Sequence, residues 1–119
     1  MLFFPSLAFA PKGHKLPALI IDLTPRDLRM GIPGLTSVAK DELGIDLRQG
    51  EVVMIFTARN MKTLKIVGYD RVGSFMLVRR LAHGGFQRLV ERIADNGKLS
   101  ISYAELEVFF DGGKIFRRD

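Results

Sequence analysis

The chain predicts an α+β domain: a small antiparallel β-meander over about residues 52–80, flanking short helices, and an N-terminal strand. Three observations carry this prediction. Val52–Thr57, Thr63–Tyr69 and Ser74–Arg79 are runs rich in β-branched and aromatic residues. The polar connections between them, around Arg59–Lys62 and Asp70–Gly73, are short enough to join only antiparallel neighbours. On both sides of this block, apolar residues recur at helical spacing instead.

Residues 1–17 hold three of the five prolines and little periodicity, so they read as an irregular arm before a single domain over 18–119. Ala18-Leu-Ile-Ile-Asp22-Leu23 is a short continuous apolar run, read as the first strand. Thr24-Pro25 is a helix-start signal, and Gly31, Pro33 and Gly34 break that helix early. A second start at Pro33 places Leu35, Val38, Ala39 and Leu43 on one face, stopped by Gly44. After Gly84-Gly85, residues Phe86, Leu89, Val90 and Ile93 sit at helical spacing before Asn96-Gly97, with a strand from Phe86 as the competing reading. Ser102-Tyr-Ala-Glu105 has the spacing of a capping box ahead of Leu106, Phe109 and Phe110, a short final helix closed by Gly112-Gly113.

A length of 119 residues with 47% hydrophobic content fits one globular domain and argues against disorder. The absence of cysteine excludes a disulfide framework and any thiolate metal site, and fits a reducing cytoplasm. Leu2–Ala10 is apolar and ends in Ala8-Phe9-Ala10, but no positive segment precedes it and Pro5 interrupts it, so a secretory signal is not expected. No stretch approaches the roughly 20 apolar residues of a membrane span. The expectation is a soluble, cytoplasmic protein with no membrane partner.

Charge is distributed unevenly. Between Arg59 and Arg92 lie eight Lys/Arg and only two acids, Asp70 and Glu91, while the rest of the chain holds ten bases and eleven acids. A folded module with its positive charge concentrated this way is first a candidate for binding a polyanion, nucleic acid above all. If the meander runs up to Arg59–Lys62, down to Asp70–Gly73 and up again, then Arg79 and Arg80 end beside Arg59 and Lys62. Lys65 joins them and Arg71 lies at the opposite end. The bland reading is that such bases only keep sheet edges soluble, but an ordinary solvated surface mixes both signs.

Gly31-Ile-Pro-Gly34 reads as a turn into a helix whose N-terminus could receive a phosphate, with Arg26 and Arg29 close by. Asp22, Asp27, Asp41, Asp46 and Asp70 invite a carboxylate–metal reading, and Asp22 and Asp70 would approach one another if their strands paired. Capping and turn roles explain these acids better, with Asp27 free to pair with Arg29. His14 and His83 lack companions at metal-ligand spacing, so neither a metal nor any other cofactor is expected, and both read as solvent-facing. Phe3-Phe4 and Phe109-Phe110 read as core or docking residues rather than base-stacking platforms.

The chain also resembles a known family. Asp27-Leu-Arg29-x-Gly31-x-x-Gly34-Leu35 resembles a motif of the TnpB accessory proteins of insertion sequence 66 bacterial transposable elements, which are unrelated to the RNA-guided nuclease of the same name. Phe56, Arg59, Leu64-Lys65-Ile66, Tyr69-Asp70, Gly73, Phe75, Arg80-Leu81 and Gly85-Phe86 follow in the same order. A closing block, Leu99-x-Ile101-Ser102-x-x-Glu105-Leu106 and Asp111-Gly112, completes a likeness over about residues 18–113. Where the family commonly has Trp-Asp-Gly, this chain has Tyr69-Asp70-Arg71. The resemblance implies a small protein needed for efficient transposition, with strand cleavage and joining left to the transposase. Together with the charge, it leads to the expectation of a non-enzymatic accessory factor. Such a factor would bind DNA at element ends, mainly on phosphates, through Arg59, Lys62, Lys65, Arg79, Arg80 and Arg29, and assist the transposase. The alternative is a protein–protein adaptor that binds the transposase without touching DNA.

Overall fold

A computed structural model of the chain describes residues 16–97 and 99–110. Among these residues, five strands form one mixed sheet in the order β4-β3-β2-β1-β5. In chain order they are β1 (Ala18–Ile21), β2 (Val52–Thr57), β3 (Thr63–Asp70), β4 (Gly73–Arg80) and β5 (Ser100–Ile101). The described residues also form the α-helices α1 (Ile32–Leu43), α2 (Gln87–Asn96) and α3 (Tyr103–Phe110), with a 3₁₀ turn at Leu47–Gln49. The α+β class, the N-terminal strand and the antiparallel meander β2-β3-β4 are as the sequence predicts.

The sheet is wider than the meander, however. β1 pairs in parallel with β2, Ala18 opposite Val52 through Ile21 opposite Ile55, and β5 adds antiparallel beyond β1. A parallel pair requires a long crossover, and residues 22–51, carrying α1 and the 3₁₀ turn, supply it. Both faces of the sheet are therefore covered. Leu19, Ile21, Val53, Ile55, Leu64 and Ile66 point to the side of Phe86, Leu89, Val90, Ile93 and Leu106 from α2, α3 and their approach. Met54, Phe56 and Val67 point to the other side, against Leu28, Leu35, Ala39 and Leu47. Two covered faces explain why β2 is a nearly continuous apolar run rather than an alternating one.

Local chemistry accounts for most of the boundaries. Gly44 closes α1 at φ 70°, a left-handed conformation that glycine adopts without steric penalty. The capping box at α3 is reciprocal: Ser102 Oγ accepts from Glu105 N–H at 3.1 Å and Glu105 Oε1 accepts from Ser102 N–H at 2.8 Å. Helix, not strand, follows Phe86. Asp70 Oδ1 accepts from the Val72 and Gly73 N–H groups, which builds the two-residue turn between β3 and β4. Thr36 and Tyr69 hydroxyls meet at 3.0 Å and tie α1 to β3.

The helix expected at Thr24-Pro25 is absent, and the segment is irregular. Asp22 Oδ1 instead accepts from Thr24 N–H at 3.2 Å, forming a local turn ahead of Pro25. Arg26 N–H then donates to Thr57 O at 2.8 Å, holding residue 26 in an isolated parallel bridge with Ala58. Extended pairing to a neighbouring strand competes with, and here replaces, a helical turn. Residues 1–15 of the arm expected over 1–17, and the Gly112-Gly113 stop, lie outside the described residues.

Gly68 is required by a close approach. It faces Phe75 across β3–β4, and a Cβ built on it would fall 2.7 Å from Phe75 Cζ and 2.8 Å from Val53 Cγ2. Gly68→Ala is therefore expected to destabilise the fold by about 1–3 kcal/mol through overpacking, read as a lowered urea midpoint at unchanged slope. An unchanged midpoint would mean that the Phe75 ring can swing away.

Candidate nucleic-acid interface

The β2–β3 connection sets the position of the first two bases. Ala58 N–H donates to Thr63 O, Met61 N–H donates to Ala58 O, and Asn60 Oδ1 accepts from Lys62 N–H, so the loop is closed by its own backbone and one Asx contact. Met61 stands at φ 58°, an uncommon conformation for a side chain other than glycine. Its side chain packs on the core while its carbonyl accepts from Phe86 N–H at 2.7 Å. With Met61 anchored inward, Arg59 and Lys62 are left exposed at the tip.

The β3–β4 register brings in the next base. Thr63 lies opposite Arg80, and Leu81 N–H donates to Lys62 O at 2.8 Å, so exposed Arg80 ends beside Lys62 as the meander requires. Arg71 sits at the other end of the hairpin. Arg59, Lys62 and Arg80 thus share one corner of the sheet, and none of the three forms an ion pair with a carboxylate among the described residues.

Lys65 and Arg79 are placed differently from this corner. Successive strand residues point to opposite faces. Lys65 lies opposite Phe56 and Val78 on the α1 side, and its Nζ donates to Met30 O at 2.9 Å. Arg79 lies opposite Leu64 on the α2–α3 side. Its Nε donates to Phe110 O at 2.9 Å, with the guanidinium 6.0 Å from the Phe110 ring centre. A cation at the end of α3 complements the helix dipole there. Arg79 and Arg80 are sequence neighbours on opposite faces.

Arg29 stands apart again. Its guanidinium engages Asp27 through contacts of 3.0, 3.1 and 2.6 Å, and the Asp27 carboxylate also accepts Arg29 N–H. These bonds, foremost the side-chain one, hold the Asp27 carboxyl well below the ordinary carboxylate range, and the charge of Arg59 adds to the effect. Arg26 bridges to Ala58, so Asp27 follows beside Arg59 and its carboxylate offsets part of the field of the basic corner. Arg26 is not available beside α1's first turn. It is nearly buried, with Nε 2.7 Å from Asp22 and Nη1 2.6 Å from Glu42, and these two carboxylates push its pKa upward. The cation that reaches the start of α1 is Lys65, through the Met30 carbonyl. That contact joins residues 35 positions apart, and no local sequence signal could have announced it.

The acids do not assemble. β2 lies between β1 and β3, so Asp22 and Asp70 are kept apart, one in the Arg26 ion pair and the other in a turn. Among the described residues no three His, Asp or Glu side chains are grouped to hold a metal ion. His83 is exposed, and His14 and Phe3-Phe4 lie outside the described residues. Phe110 packs against the core.

What fold and corner define is a class: a small mixed-sheet α+β protein whose hairpin register gathers bases at one end. The chain belongs to the IS66 Orf2-like family, since the family model described as IS66 Orf2 like protein matches residues 18–119. It is similar to the Uncharacterized protein y4hO of Sinorhizobium fredii (strain NBRC 101917 / NGR234), 30% identical over 86 residues. That match spans 72% of this chain and 71% of that protein. No solved structure matches the chain. Membership carries a transposition-accessory role and association with the machinery of that element. Among the described residues no helix is long and apolar enough to cross a membrane.

Proposed function

We propose that the protein is a non-enzymatic accessory factor that binds DNA at element ends, chiefly on phosphates, and assists the transposase there. Arg59, Lys62 and Arg80 form the contact surface in this reading. Lys65 supplies charge behind it, Arg29 stands at its margin paired with Asp27, and Arg79 lies on the opposite face at the end of α3. The observation that carries the reading is the convergence of three exposed bases, from positions more than twenty residues apart, at one corner of the sheet, none of them ion-paired to a carboxylate among the described residues. A corner of this kind attracts phosphate without reading bases, so affinity should be strongly salt-dependent.

The test is fluorescence anisotropy of the purified full chain with labelled duplex, terminal repeat against scrambled sequence, over a salt series. The expected slope of log K against log salt is about −2 to −3, as for roughly three neutralised phosphates at −0.9 each. Preference for the terminal repeat would add base or shape readout to the phosphate term. Absence of binding to both duplexes at low salt would remove DNA from the reading and leave the adaptor role. The outer edge of β4, the last strand of the sheet order, favours a protein contact in either case.

A further inference from the structure

The two edges of the sheet are unequal. β5 has two residues, whereas β4 has eight and no strand beyond it among the described residues. In an antiparallel ladder, opposed residues alternate between bonded and non-bonded pairs. The Leu81 N–H to Lys62 O bond sets the phase, so odd-numbered residues of β4 bond to β3. The backbone N–H and C=O groups of Ser74, Met76, Val78 and Arg80 therefore point outward. Val78 is 54% exposed, although β3 beside it is buried on both faces. Unpaired edges of this length are templates for an added strand, and most proteins cover or blunt them.

We infer that the outer edge of β4 is a strand-addition site for an extended segment of a partner protein, with apolar residues at its centre and acidic residues at its N-terminal end. An added strand running antiparallel continues the β2-β3-β4 ladder. Its centre lies along Phe75–Val78, and its N-terminal residues lie against Arg79 and Arg80. β4 carries no acid, so acidic residues at that end are complementary to it.

The same charges disfavour the nearer alternatives. Two copies joined antiparallel by their β4 edges would bring Arg79 and Arg80 of each against the turn of the other, where Asp70 is offset by Arg71 and already accepts from the Val72 and Gly73 N–H groups, so no net opposite charge meets them. Residues 111–119 hold three bases and two acids, and residues 1–15 hold two lysines and no acid, so the chain's own ends match the edge poorly. The inference concerns backbone groups and stands whether or not the basic corner binds DNA.

The test uses amide exchange and ¹⁵N-resolved shifts on the full chain, with two acetylated heptapeptides as probes: Glu-Glu-Val-Thr-Val-Thr-Ser and its Lys-Lys counterpart. In the free protein the Met76, Val78 and Arg80 amides should exchange fast at every concentration. The acidic peptide should slow and shift these amides, binding about tenfold or more tightly than the basic one at low salt. Val78→Pro should abolish the effect, because its lost N–H is an outward one and the β3 ladder is spared. Should that variant unfold, Val78→Glu keeps the N–H and should still weaken the acidic peptide selectively. Edge amides already protected would overturn the inference, pointing to a second copy if protection rises with concentration and to the chain's own ends if it does not. Equal binding of both peptides, or undiminished binding by folded Val78→Pro, would also overturn it. DNA anisotropy on the same samples reports separately on the basic corner.

Discussion

Asp22→Ala is expected to lower the unfolding free energy by about 3 kcal/mol, the range found when one partner of a buried ion pair is removed. The Asp22 side chain is 2% exposed and that of Arg26 is 13% exposed, so neither charge has ready access to water once its partner is gone. Asp22 also accepts from Thr24 N–H, and the substitution leaves that donor without its partner as well. Glu42 remains to Arg26 but is itself 54% exposed, and a pair of that kind contributes at most about 1 kcal/mol. Arg26→Ala should cost as much, because it strands a buried carboxylate. Replacing both residues by apolar ones of similar volume should recover most of the loss. Urea unfolding of the three variants checks this. A loss below about 1 kcal/mol for Asp22→Ala would show that Glu42 alone suffices to hold Arg26.

The same ion pair explains where sequence reading of the fold stopped. Thr24-Pro25 has the residue types of a helix start, but cap preference is a local argument. The competing bonds come from Ile55 and Thr57 on β2, which accept from Asp22 and Arg26 N–H groups. Pairing of β1 with β2 was likewise invisible, since a parallel partner separated by a 30-residue crossover leaves no turn signature, unlike the Asp70–Gly73 hairpin. Hairpins, the Gly44 stop and the Ser102–Glu105 capping box were legible because each is written within a few residues. The basic corner was half legible. Its register followed from the short connections, but two contacts redirected Lys65 and Arg79. One is a carbonyl at Met30 and the other a carbonyl at Phe110, each more than thirty residues distant. Alternation along β4 could have separated Arg79 from Arg80 in advance, because it needs only the period of two.

That separation gives the second large effect. Arg80→Glu should weaken DNA binding about tenfold or more at low salt, and a combined Arg59→Glu, Lys62→Glu, Arg80→Glu protein should not bind measurably. Each lost phosphate contact should also reduce the salt slope by about 0.9. Arg79→Glu should leave affinity within about threefold, since its guanidinium is committed to the end of α3 on the other face. Its loss should appear in stability instead, at about 1 kcal/mol for one hydrogen bond and its ring contact. Affinity and unfolding measured on the same preparations therefore move in opposite order for two adjacent arginines. Equal loss of binding in both would mean that DNA wraps the edge and touches both faces. Undiminished binding by folded Arg80→Glu would place the DNA surface elsewhere on the molecule, because no other base of the corner lies beside Lys62 along the β3–β4 ladder.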